Sequence, residues 1–332
     1  MKRILCALLA ALTVLLCSCT PAKKRYEKTL PAVFDTFCTL TAYCRSQEEF
    51  DRAAEAVSGE LLRLHRLFDC FHEYPGETNL ATINENAGKE PVPVGEDFLT
   101  LWAMAEEVYA ASDGKLSAAM GRLTALWRDC FEAGDRLPDA DAIGEAMKHI
   151  DPATVCVENG TVFFRDPDVR LDFGAIAKGY AGERAAEVAV SLGCTDFVLN
   201  LGGNVVVRGK KPYGAWQIGV ENPDGGVETS VSLSHGAVVT SGDYLRGMDV
   251  DGVRYGHIID PDTGTSARLW RSVTVVCADS GMADALSTAL FCLDETRGRA
   301  LAAHYGAEVL WIPASGRPIR TDGFAAYEEG SR

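Results

Sequence analysis

The chain has 332 residues, of which 47% are hydrophobic and 24% charged, with a formal net charge of -15 at pH 7. No nucleic-acid partner is expected at that charge, because such binding is dominated by Lys and Arg neutralising phosphates. Any phosphate-bearing ligand has to be met by local positive charge, and the length and apolar content suit one large domain or two intimate subdomains.

The N-terminus opens with Met1-Lys2-Arg3 and an apolar run from Ile4 to Leu16, too short for a spanning helix and of the form of an export signal over residues 1–18. The run ends in Leu16-Cys17-Ser18-Cys19, which resembles a lipobox with Cys19 as the lipid site. An ordinary secretory signal would share the charged start and apolar core. Residues 19–31, with Lys23-Lys24-Arg25, then read as a lipidated tether and 32–328 as the functional domain.

Alternation from Thr36 to Tyr43 predicts a strand, and apolar spacing near 3.6 from Glu48 to Leu67 predicts an amphipathic helix. Phe71 to Pro93 reads as loop, Glu96 to Ala111 as helix and Leu116 to Cys130 as a further helical region. From Val155 onward short β-branched runs alternate with turns (155–157, 162–164, 197–201, 216–220, 231–233, 273–276 and 308–312), so most of the sheet is expected in the second half. The eleven cysteines show no CxxC pair or zinc spacing and read as small buried hydrophobes; sequence alone cannot pair them.

The strongest local signal is Leu171-Asp172-Phe173-Gly174-Ala175-Ile176-Ala177-Lys178-Gly179-Tyr180-Ala181. It predicts an apolar strand ending near Phe173, a small-residue turn, and a helix burying Ile176, Tyr180, Val188 and Leu192. Free amides and the positive dipole end would face an anion there, with Lys178 adding charge. Taken alone, small residues at such a junction equally serve close packing. Neither GxxxxGK[ST] nor GxGxxG is present.

Asn200-Leu201-Gly202-Gly203-Asn204 fits a hairpin or a close approach to ligand, and Thr240-Ser241-Gly242-Asp243-Tyr244 and His257-Ile258-Ile259-Asp260-Pro261-Asp262-Thr263-Gly264 are polar turns between apolar strands. His257 is a candidate proton carrier, or a structural histidine, and Asp260 a turn former. In Gly281-Met282-Ala283-Asp284-Ala285-Leu286-Ser287-Thr288, Asp284 and Thr288 share one helix face. One carboxylate and one hydroxyl suit Mg²⁺, which fills its octahedron with water and substrate phosphate; a helix-dipole Asp and a back-bonded Thr are the plain alternative.

The order DFGAIAKGYA, LNLGGN, TSGDY, HIIDPDTG and ADALSTAL resembles the ApbE family of FAD:protein FMN transferases from Ala32 to near the C-terminus. The resemblance implies a mixed α/β (α+β) fold of two interlocked subdomains with FAD, as substrate, in the cleft between them. It implies Mg²⁺ held by the Ala175 carbonyl, Asp284 and Thr288, FAD contacts from Asp172, Lys178 and Ile258, and catalytic roles for His257 and Asp284. It also implies an acceptor flavoprotein, such as a membrane electron-transport subunit, and a lipid-anchored place on the extracytoplasmic face of the cell membrane. The first half departs from the pattern: Phe34-Asp35-Thr36 stands where relatives often carry Gly-Thr, and Ser117 where an Asp is usual. Phe34, Phe71 and Ser117 are the flavin-side candidates there.

Overall fold

The computed structural model describes residues 22–134, 136–244 and 246–328. The expected leader and Cys19 lie outside the described residues. Strand β1 (Lys24–Val33) pairs antiparallel with β2 (Thr36–Cys44), so residues 24–31, expected as part of a tether, are instead the edge of the main sheet. The edge position explains the mistaken expectation. Most β1 side chains are exposed and only Leu30 and Val33 are buried, so the segment has the charged composition of a linker.

Helix α1 (Gln47–Leu67) begins where Ser46 accepts the Glu49 amide at 3.1 Å, and buries Phe50, Ala53, Ala54, Val57, Leu61 and Leu64. Next come α2 (Leu80–Glu85), β3 (Val92–Pro93), α3 (Glu96–Ala111), α4 (Gly121–Ala133) and α5 (Ala140–Ala146). Helix α2 falls inside the stretch expected as loop, nucleated by the Asn79–Thr82 capping box. Helix α4 starts later than expected because Met120 bridges to Arg170; the strand expected to end at Phe173 is no more than this one bridge.

The hairpin β4 (Val155–Glu158) and β5 (Thr161–Phe164) leads to α6 (Ala177–Ser191), then β6 (Phe197–Leu201) and β7 (Asn204–Arg208), which form the expected hairpin across Gly202-Gly203. The remaining elements are β8 (Trp216–Glu221), β9 (Val227–Leu233), β10 (His235–Gly242), β11 (Gly247–Val250), β12 (Val253–Gly256), β13 (Ile259–Asp260), β14 (Thr265–Ser266), β15 (Trp270–Cys277), α7 (Ser280–Phe291), α8 (Glu295–His304), β16 (Glu308–Pro313), β17 (Ile319–Arg320) and α9 (Ala325–Glu328).

The main sheet runs β1-β2-β6-β7-β10-β15-β16-β17, every neighbour antiparallel. Helices α1, α6 and α7 pack on one another and on one face of it. Strand β7 shows the two-sidedness: Val206 joins the helix-side core, while Val205 and Val207 join a second core with Trp216, Val231 and Phe324. A third core sets Met120, Leu123, Trp127 and Cys130 of the first half against Met248 and Ile259 of the second. Trp127 Nε1 donates to the Gly264 carbonyl at 2.8 Å across that junction, which is how the halves interlock. Among the described residues no helix is long and apolar enough to cross a membrane.

Helix α6 corrects the expected stripe. Ile176 and Tyr180 are buried, but Val188 and Leu192 are half-buried, and the inner surface is made of Gly179, Ala181, Gly182, Ala185, Ala186 and Ala189. A helix wedged between two others and a sheet needs small residues on several sides rather than one stripe of large ones.

Candidate active site

The turn before α6 is built by Asp172, whose Oδ1 accepts the Gly174 amide at 2.7 Å and whose Oδ2 accepts the Thr124 hydroxyl at 2.7 Å. Beyond it, α6 has no side-chain cap of its own. Its first turn is served from outside: Asp284 on α7 accepts the Gly179 amide on Oδ2 at 2.7 Å and the Lys178 ammonium on Oδ1 at 2.8 Å. The two helices come close enough for this because residue 179 has no side chain. A Cβ there would lie 2.3 Å from the Ser280 carbonyl oxygen and 2.5 Å from Asp284 Cβ.

This cross-helix cap leaves groups over. In an unbroken helix the Gly179 amide would donate to the Ala175 carbonyl. It goes to Asp284 instead, and the Ala175 carbonyl accepts no hydrogen bond among the described residues. Thr288, one turn beyond Asp284 on the same face, is half-buried and its hydroxyl likewise has no partner among them. A buried carboxylate, a free carbonyl and a free hydroxyl form an all-oxygen donor set that fits a small hard cation. The neighbouring Ser287 hydroxyl is tied to Ser241 at 2.7 Å, which fixes α7 against the end of β10.

A second group gathers around Arg246. Phe34 and Asp35 form the β1–β2 turn with φ of 50° and 55°, left-handed conformations that cost non-glycine residues roughly 1–2 kcal/mol each. The Arg246 guanidinium donates to both their carbonyls, at 3.3 and 3.0 Å. The Arg246 carbonyl in turn accepts from the His257 amide at 3.1 Å and lies 3.3 Å from His257 Nδ1. A carbonyl can only accept, so Nδ1 carries the hydrogen and Nε2 of the neutral ring is the free base. Burial, then the positive charge of Arg246 and more weakly Lys178, pushes His257 down to about 4. Lys178 thus lies within electrostatic reach of both groups. Ile258 points inward as part of the core, and its carbonyl accepts the Ala267 amide at 2.8 Å.

The flavin-side candidates of the first half are more scattered. Phe71 is half-exposed under the Arg128 guanidinium, 3.5 Å from its ring centre. Phe34 stands edge-on to His65 at 5.3 Å. Ser117 is committed to the fold: its oxygen accepts the Ala119 amide at 3.2 Å and donates to the Ile150 carbonyl at 3.3 Å. The adjoining Ala118 carbonyl takes the Asp172 amide at 2.8 Å, so Ser117 supports the turn that carries Asp172.

Three groups escape a reading of local sequence. Arg246 joins the strained turn to His257. Thr124 orients Asp172. Buried Lys115 reaches Asp260 at 2.6 Å and Asp262 at 2.7 Å, so Asp260 is both a turn former and an ion-pair partner. A cavity of about 530 Å³ also opens past the end of β10, lined by Asp243, Arg254, Arg268, Trp270 and Arg271; it contains neither Asp284 nor Lys178. This cavity is therefore separate from the oxygen donor set on α6 and α7.

Comparison with known proteins follows the same line. The ApbE family profile matches residues 34–311. The chain is 31% identical over 314 residues to the FAD:protein FMN transferase of Treponema pallidum, covering 88% of this chain and 85% of that protein. It is 33% identical over 251 residues to an FAD:protein FMN transferase of Klebsiella pneumoniae, covering 74% and 78%. The crystal structure of the ApbE protein of Thermotoga maritima superposes with a TM-score of 0.82 at 33% identity, covering 92% of this chain and 99% of that one.

Proposed function

The chain belongs to the ApbE family, and from that premise we propose that it transfers FMN from FAD to a threonine or serine hydroxyl of an acceptor flavoprotein, releasing AMP. The observation that carries this reading is the cross-helix cap: Asp284 takes the Gly179 amide and leaves the Ala175 carbonyl beside it without a partner.

Ala175, Asp284 and Thr288 would hold Mg²⁺, which when bound neutralises pyrophosphate charge and favours AMP as the leaving group. The rest is the work of the chain itself. The start of α6 and Lys178 favour phosphate oxygens through dipole and charge. His257, with Nε2 unprotonated, takes the proton of the acceptor hydroxyl as its oxygen bonds to the FMN phosphorus and the P–O bond to AMP breaks. Asp172, held by Thr124 and Gly174, orients the turn against the substrate. Cys19 would carry a lipid that tethers the domain to the extracytoplasmic face of the cell membrane, where an electron-transport subunit is a fitting acceptor.

The test is to incubate the protein with FAD, Mg²⁺ and a small acceptor flavoprotein domain and to weigh the acceptor. One added FMN with AMP release, lost on chelation, is the expected result. FMN and AMP with an unmodified acceptor would make the protein a pyrophosphatase, and intact FAD a binding protein.

A further inference from the structure

Strand β2 turns Cys38, Leu40, Ala42 and Cys44 inward at every second position, and Cys44 is the last residue of the strand. Its ladder with β6 runs past the Ala42–Phe197 pair, since the Tyr43 amide donates to the Asp196 carbonyl at 2.8 Å. That fixes the end of β2 beside residues 194–196.

Helix α6 ends close by in a Schellman turn. Gly193 has φ of +87°, its amide donates to Val190 at 2.9 Å, and the Cys194 amide donates to Ala189 at 3.1 Å. The residue after the glycine in this motif folds back toward the helix's apolar side. Here that residue is Cys194, and its sulfur lies 3.6 Å from Cys44 Sγ, both residues at most 1% exposed. Cys38, Cys70, Cys130, Cys156, Cys277 and Cys292 have no such sulfur neighbour among the described residues.

We propose that Cys44 and Cys194 are a disulfide-forming pair that staples the end of β2 to the end of α6. The two thiols are oxidised by a small disulfide RSSR: the thiolate of one cysteine attacks a sulfur and releases RS⁻, then the other displaces the second RS⁻ from the mixed disulfide. The protein loses two electrons and two protons, and the oxidant leaves as two RSH. The bond closes a loop of 150 residues between positions far apart in sequence and neighbouring in space. It also ties down the far end of the helix whose beginning carries Lys178 and Gly179. Burial hides both sulfurs, so the bond forms before this corner seals and resists reductant afterwards.

The full chain is refolded from its reduced, denatured state in a glutathione redox buffer, unfolded again with iodoacetamide present, digested and mapped by mass spectrometry. The expected result is one linked pair of peptides containing Cys44 and Cys194, reduced by dithiothreitol readily in denaturant and slowly in the native state. Alkylated Cys44 and Cys194, or their linkage to other cysteines, would overturn the proposal. Cys194→Ala is expected to melt roughly 5–10 °C below the oxidised wild type, and close to the reduced wild type. An equal drop against the reduced wild type would leave the pair a packing contact and overturn the staple.

Discussion

Two helices meet at the site, and they begin differently. Helix α7 is capped within its own sequence: Asp279 accepts the Met282 amide at 2.7 Å. Helix α6 has no such residue and takes Asp284 from α7, 105 positions away, onto its Gly179 amide. A self-capped helix closes its polar end and contributes stability alone. One capped by a neighbour exposes its amides and backbone carbonyls to a shared space, and that space can hold a ligand.

Substituting the two aspartates separates these roles. Asp284→Ala is expected to lower AMP release from FAD by about 10²–10³-fold, on the scale of losing one preorganised electrostatic group. Unfolding in urea should also show about 1–3 kcal/mol lost, because the Gly179 amide is left buried without an acceptor. Wild-type turnover in this variant would break the comparison. Gly179→Ala attacks the same contact through shape: the added methyl meets Ser280 and Asp284, and about 1–3 kcal/mol of stability should go together with activity. Asp279→Ala should cost about 1 kcal/mol in the same denaturation assay and leave turnover of the folded protein unchanged. Thr288→Val should raise the Mg²⁺ concentration needed for half-maximal activity, yet alter stability by no more than about 0.5 kcal/mol, since its hydroxyl has no partner among the described residues.

The pH dependence extends the comparison to His257. Its folded pKa, about 4, lies below the ordinary histidine value of 6.5, so the unfolded chain binds more protons between these limits. The contribution to stability is complete above pH 6.5 and is lost as pH falls toward 4. Titrating unfolding of the wild type and His257→Gln should show the variant lacking this slope. In catalysis, kcat/KM reports the free enzyme and should hold its acid limb near 4. If FAD binds as proposed, its phosphates would add negative charge beside the ring, so the limb of kcat should lie higher. An acid limb of kcat/KM near 6.5 would remove His257 from the role of base.

What was legible in the sequence followed the range of each interaction. Asp284 and Thr288 stand four apart on one helix and could be paired by periodicity, and the turn at Asp172 announced itself by small residues before a helix. The bond from Lys178 to Asp284 could not be read, because 106 positions separate them and nothing local requires it. The partner of Ser117 was illegible for a related reason: the Ile150 carbonyl that accepts its hydroxyl lies far away in sequence. Helix α6 misled in the opposite way, since apolar bulk drew attention to Val188 and Leu192 while Gly182, Ala185 and Ala189 make the buried surface. Strand β1 hid behind charge, as an edge strand can.

The order of the main sheet has a consequence for biosynthesis. Strands β1 and β2 pair with each other early in synthesis, but β2 meets its other neighbour, β6, only when residues 197–201 have been made. At about 5–20 residues per second, the early hairpin waits on the order of ten to thirty seconds with one inward-facing edge unpaired. Pairing β2 with β6 is a long-range closure of the kind that slows folding relative to the formation of local helices, and the unpaired β2 edge is open to other strands until its partner arrives.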